Sequence, residues 1–197
     1  MSRANWVTIE RKYVNMADVN FLRAKLGDAS ADEANSADVP AYDLIELFFF
    51  AYRDFVADAD AMLTRYNFGR AHHRVLHFVD RNPGLTVAEL LDILRITKQS
   101  LGRVLKELVD QGFIVQREGQ SDRRQRLLHT TQKGTGLARD LAMLQTKRVE
   151  AALAQTGPGS RDVAVRFLLA LVDADKRHDV MRVVAGGRDQ GTGDGAL

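Results

Sequence analysis

The chain holds 197 residues, 45% of them apolar and 27% charged, with a formal net charge of +2 and no cysteine. That is material for one ordinary core, and no apolar run approaches the roughly 20 residues needed to span a bilayer. The lack of cysteine excludes disulfides, zinc–thiolate sites and thiol redox switches.

The N-terminus has neither the apolar centre nor the small-residue cleavage site of a signal peptide, so the expected location is the cytoplasm, with no membrane partner. Residues 1–40 read as an extension. Trp6-Val7 and Val19–Leu26 are candidate ordered pieces, whereas Gly27–Asp38 is rich in Ala, Asp and Ser and reads as linker. Residues 41–67 predict a first helix from Tyr42 to about Leu63. Leu44, Ile45, Leu47, Phe48, Phe49, Tyr52, Phe55, Val56, Ala59 and Met62 cover most of its circumference. A helix this apolar must be buried on more than one side, and a small domain has too little core for it. Another helix or a second subunit is needed. A further helix, about Phe68–Arg81, carries His72, His73 and His77. His73 and His77 share a face at i and i+4, a spacing that suits a metal but lacks a third and fourth ligand. Polar surface or interface histidines are the plainer reading.

Residues 68–133 hold 12 Lys/Arg against 7 Asp/Glu, while residues 41–67 hold 2 against 5, so the basic charge is concentrated in mid-chain. Thr86-Val87-Ala88-Glu89 is a capping box that opens a short helix with Val87, Leu90, Leu91 and Leu94 on its inner face. Only Arg95 and Ile96 separate it from the segment Thr97–Gly112, TKQSLGRVLKELVDQG. Thr97 is placed as N-cap, and Ile96 and Leu101 as a hydrophobic staple. Leu101, Val104, Leu105 and Leu108 form one buried stripe. The other face presents Lys98, Gln99, Ser100, Gly102, Arg103 and Lys106, with three cations before the first acid, Glu107. Such a face suits a DNA major groove, where Arg and Lys meet guanine or phosphate, Gln meets adenine and a small residue permits close approach. Phe113-Ile114-Val115 and Leu127-Leu128 flank the basic run Arg123-Arg124-Gln125-Arg126, which predicts a β-hairpin. Helix, turn, helix and basic hairpin in this order make a winged helix-turn-helix domain. The fold class is therefore mainly α with a small β-hairpin wing, with further apolar helices at both ends. Residues 135–155 and 160–184 supply two more amphipathic helices, broken at Gly157-Pro158-Gly159, and residues 186–197 read as a glycine-rich disordered tail.

These residues resemble the MarR family (multiple antibiotic resistance regulators) of transcription factors, over roughly Tyr42 to Val184. The likeness rests on GLT-x-x-EL at Gly84–Leu90, GFI at Gly112–Ile114, the triplet Asp122-Arg123-Arg124, and Thr131-x-x-Gly134 at the start of the next helix. In place of the charged residue that the family usually carries just before the triplet, this chain has Gly119, Gln120 and Ser121. The resemblance implies a homodimer in which the helices of 41–67 and 134–185 interlock with their copies. It also implies that Arg124 enters the minor groove, and that small effectors bind where the histidine-bearing helix meets the first helix.

On this reading the DNA-binding candidates are Thr97, Lys98, Gln99, Ser100, Arg103, Lys106, Asp122, Arg123, Arg124 and Arg126. Phe48, Phe49, Tyr52, Phe55, His72, His73 and Arg74 are candidate walls for an anionic or aromatic effector, against the plain alternative that the aromatics are core. The expected partners are double-stranded DNA with an inverted-repeat operator and a second copy of the chain; no metal, cofactor or catalytic residue is expected. Two readings stand beside it. One is a winged-helix module that binds protein. The other is a metal-dependent protein built on His73 and His77, which lacks an adjacent carboxylate and a nucleophile motif.

Overall fold

Caps and apolar stripes set the order of elements. The computed structural model describes residues 40–119 and 125–186, so the expected extension, the wing tip with Asp122, Arg123 and Arg124, and most of the expected tail lie outside the described residues. The chain divides into two units, residues 1–47 and 48–197. Helix α1 spans Tyr42–Leu63, the predicted range, and is followed by a short 3-10 turn that ends at Asn67 in the left-handed region, φ 57°. Helix α2 (Arg70–Arg81) follows, then strand β1 (Leu85–Thr86) and helix α3 (Val87–Leu94). Thr86 accepts from the Glu89 N–H at 3.2 Å, and the Glu89 carboxylate accepts from the Thr86 N–H at 2.8 Å, so the predicted capping box is formed. Arg95, left-handed at φ 51°, ends α3 and turns the chain into α4 (Lys98–Asp110).

Strands β2 (Ile114–Glu118) and β3 (Arg126–Thr130) pair antiparallel from Ile114↔Thr130 to Glu118↔Arg126, the expected wing. The sheet has a third strand that periodicity did not reveal. Residues Leu85–Thr86 of β1 pair with Leu128 and Leu127, giving the order β1-β3-β2. Two residues are too few for alternation to register in sequence.

The core lies in the second unit, where each element contributes its stripe: Ala59 and Leu63, Val75, Leu76 and Val79, Leu90 and Leu94, then Leu101, Val104, Leu105 and Leu108. Each fully buried aliphatic side chain contributes about 1.5–3 kcal/mol, so the α4 stripe alone is a main holder of the domain. Phe113 is fully buried, with Phe68 and Tyr66 edge-on to its ring at 5.2 and 5.3 Å and Lys133 Nζ 4.1 Å from its centroid.

Helix α5 (Gln132–Thr156) is capped by Thr131, whose hydroxyl accepts from the Gly134 N–H at 3.1 Å. A Cβ on Gly134 would sit 2.0 Å from the Phe113 carbonyl oxygen, which is why the Thr-x-x-Gly start tolerates no larger residue. Only the first turns of α5 are buried, through Leu137, Ala138 and Leu141. The segment predicted as one helix over 160–184 is two, α6 (Ser160–Ala170) and α7 (Arg177–Val184), with a 3-10 turn at Ala174–Lys176. Arg177 explains the break. Its guanidinium donates to the carbonyls of Ala170 at 2.9 Å and Val172 at 3.0 Å, filling acceptors that a continuous helix would have used. Among the described residues no helix is long and apolar enough to cross a membrane.

Candidate nucleic-acid interface

The buried stripe of α4 faces the core, so geometry fixes what its other side offers. Lys98, Gln99, Ser100, Gly102, Arg103 and Lys106 are all exposed. Thr97 caps the helix through the Ser100 N–H at 3.1 Å and donates its own proton to Ser100 Oγ at 3.0 Å, so these two hydroxyls hold the first turn in shape. A Cβ added at Gly102 would meet nothing within 4 Å. Packing within the chain does not require a glycine there, in contrast to Gly134. Lys106 is paired with Asp110 one turn on, and that hydrogen bond raises its pKa above the usual lysine value. The spacing i, i+4 is readable in the sequence, and it makes Lys106 a less free cation than Lys98 or Arg103.

The wing carries a second set of charges. Arg126 lies opposite Glu118 and donates to it at 3.1 Å, so it too is shared with an acid. Arg117, exposed on β2, was not among the residues singled out from sequence. Its place two residues after Val115, off the face of buried Ile114, was the available signal.

The expected effector walls differ in exposure. Phe48, Phe49 and Tyr52 are exposed on α1 and Phe55 is half-buried. On α2, Arg74 is exposed and His73 is buried, its pKa pushed down by burial and by neighbouring His77. His72 turns the other way. Its Nδ1 accepts from the Gly69 N–H at 3.1 Å, its Nε2 lies 2.8 Å from Glu107 Oε2 on α4, and its ring stacks on Phe68 at 4.5 Å. Both ring nitrogens are therefore engaged already. Glu107 as a bridge to α2 was invisible in sequence, because its partner lies 35 residues away. Between α1 and α2, Asp60 pairs with Arg70 at 2.8 Å while its other oxygen is buried without a hydrogen-bond partner among the described residues. Among those residues no group of three or more His, Asp or Glu could hold a metal ion.

Two comparisons with known proteins settle the family. The model of the MarR family matches residues 66–125, from the 3-10 turn before α2 to the wing. The HTH-type transcriptional regulator PetP of Rhodobacter capsulatus is 47% identical over 135 residues, which are 68% of this chain and 81% of that protein. The chain belongs to the MarR family. MarR proteins are transcriptional regulators and not enzymes. Two solved structures share the fold. FabT of Streptococcus pneumoniae, crystallised in complex with DNA, is 19% identical with a TM-score of 0.59, covering 71% of this chain and 99% of that one. A MarR family regulator of Listeria monocytogenes, complexed with a 26mer DNA, is 20% identical with a TM-score of 0.55, covering 74% and 95%. The MarR assignment agrees with the order α2-β1-α3-α4-β2-β3 found here.

Proposed function

We propose that the protein is a homodimeric, sequence-specific DNA-binding repressor of the cytoplasm that responds to a small effector. The observation that carries this reading is the exposed face of α4. Lys98, Gln99 and Arg103 are exposed at its N-terminal half around Gly102, where an added Cβ would meet nothing within 4 Å, an arrangement suited to base edges and phosphates in a major groove. Lys106, and Thr97 and Ser100 at the cap, contribute phosphate contacts or hold the helix start, and Arg126, Asp122, Arg123 and Arg124 are assigned to the wing's share of the contact. Arg124 reaches the minor groove, and Asp122 orients an arginine of the triplet. The two relatives crystallised with DNA have the same fold, which favours this use of the face.

The dimer is supported by apolar surface that is exposed among the described residues: Phe48, Phe49 and Phe50 on α1, Phe167 and Leu168 on α6, and Leu171 after it. Two copies place two recognition helices about one turn of DNA, roughly 34 Å, apart, so the operator is an inverted repeat. An anionic or aromatic effector held by Phe48, Phe49, Tyr52, Phe55, His73 and Arg74 favours one separation of those helices over the other. His72, tied to Glu107, borders that region and is not open to it.

Capture of genomic fragments at two salt concentrations tests the reading. A few fragments, held tightly and lost as salt rises, are expected; failure to retain any fragment at the lower salt contradicts it.

A further inference from the structure

The two flanks of the recognition helix are held differently. On one flank Glu107 reaches α2 through His72. On the other, α4 borders a shallow groove of about 660 Å³ floored by Leu101, Leu105, Val109, Ile114 and Val115. Among the described residues no side-chain hydrogen bond or ion pair crosses that groove from α4 to β2. The apolar stripe sets how deep α4 sits, yet apolar contact is non-directional and resists rotation about the helix axis weakly. A side chain at the helix surface stands about 5–6 Å from the axis, so a roll of about 10° moves it by about 1 Å. That is enough to spoil a two-point hydrogen bond to a base, which requires placement within about 0.5 Å.

The His72 ring is itself fixed at three points. The backbone N–H of Gly69 can only donate, so Nδ1 carries the lone pair and the neutral ring bears its proton on Nε2, which donates to Glu107. Phe68, packed in turn against Phe113, fixes the ring plane. We infer that His72 is a positioning residue for DNA recognition: its imidazole caps α2 through Nδ1 and, through Nε2 and Glu107, fixes the roll of α4, and so the aim of Gln99 and Arg103. This inference rests on the DNA-binding reading given above. It also gives α2 a direct hold on the reading face.

The two halves of the imidazole can be removed separately. In His72→Asn the amide oxygen takes the place of Nδ1 and keeps the cap, but nothing reaches Glu107. In His72→Gln the amide nitrogen takes the place of Nε2 and keeps the bond to Glu107. Neither changes the charge of the neutral side chain, so simple electrostatic attraction to DNA predicts no effect for either. Affinity is measured for a captured fragment and for a random duplex of equal length, with thermal unfolding of each variant alongside. The wild-type ratio of specific to random affinity should fall about three- to tenfold in His72→Asn, the range for one hydrogen bond to a charged group that is half-exposed. It should return towards the wild-type value in His72→Gln, and the double variant His72→Asn/Glu107→Ala should lose no more than either single change. In the DNA-free protein, nitrogen-15 NMR should show the neutral ring with its proton on Nε2. An unchanged ratio in His72→Asn, strictly additive losses in the double variant, or a proton on Nδ1 overturns the inference and leaves the DNA-binding reading intact. A wild type that prefers no fragment over random duplex overturns both.

Discussion

The winged-helix part of the second unit and the helices α1, α6 and α7 all carry apolar stripes, yet they treat them in different ways. Leu101, Leu105 and Leu108 on α4 are covered by the chain's own elements, and Leu108 is fully buried. Phe48, Phe49, Phe167 and Leu168 remain about half exposed or more. The difference teaches that the first region is completed by the elements around it, whereas the second keeps its apolar face exposed among the described residues and is where the proposed partner copy would sit. An exposed apolar face is costly to leave in water, whereas a reading face made of Lys, Gln and Arg is not.

The sharpest way to break that contrast is to damage one leucine in each region. Leu108→Ala should destabilise the fold by about 2–5 kcal/mol, as a cavity in a closed core does. Leu168→Asp should leave the secondary structure of the winged-helix part in place and abolish self-association. Circular dichroism with sedimentation distinguishes the two. An equal loss of helix signal in both variants would erase the distinction.

Two glycines sharpen it further. Gly134→Ala drives a Cβ into the Phe113 carbonyl and should cost about 3 kcal/mol of stability, since neither backbone can give way. Gly102→Ala meets nothing in the chain and should add up to about 1 kcal/mol through helix propensity, while weakening DNA binding by its bulk alone. Thermal unfolding and a binding titration of both variants check this; a stable Gly134→Ala protein would show that the contact is not what closes the junction.

Within the reading face the expected effects are smaller. Gln99→Ala and Arg103→Ala should each cost about 1–3 kcal/mol on the operator and relax preference at one position per half-site. Lys106→Ala, already shared with Asp110, should lower affinity for all sequences alike and by less. Equal losses on operator and random DNA for Gln99→Ala would count against base reading.

The mildest effect is in pH. His73 has its pKa lowered from the ordinary 6.5, first by burial and next by His77, so the unfolded chain takes up the proton more readily than the folded one. Stability should therefore be complete above the ordinary histidine range and should fall as pH drops through about 6.5 towards the folded value. His77 is lowered as well, again chiefly by burial, and adds in the same direction. Replacing His73 by Gln should flatten part of this slope in unfolding midpoints measured from about pH 8 to pH 5.

What was legible in the sequence was whatever repeats or caps locally. The stripe of α4, the Thr86–Glu89 box, the Thr97 cap and the bounds of α1 follow from spacing within one element, and they stand where the pattern put them. What escaped depends on distance along the chain or on one side chain. The two-residue β1 exists only because Leu127 and Leu128 return beside it. The break before α7 turns on the reach of Arg177. His72, singled out as a pocket wall, faces Glu107, and no periodicity links positions 35 residues apart. The candidate reading face was legible because it is the remainder of a helix whose buried side is unmistakable.

The central claim is a pair of α4 helices on one duplex, and the stoichiometry of the complex tests it most directly. Sedimentation of the wild-type protein with a duplex carrying a captured inverted repeat should give a single species of two chains per duplex, with no free monomer at micromolar protein. One chain per duplex, or a folded monomer that leaves the duplex unshifted, would contradict the account.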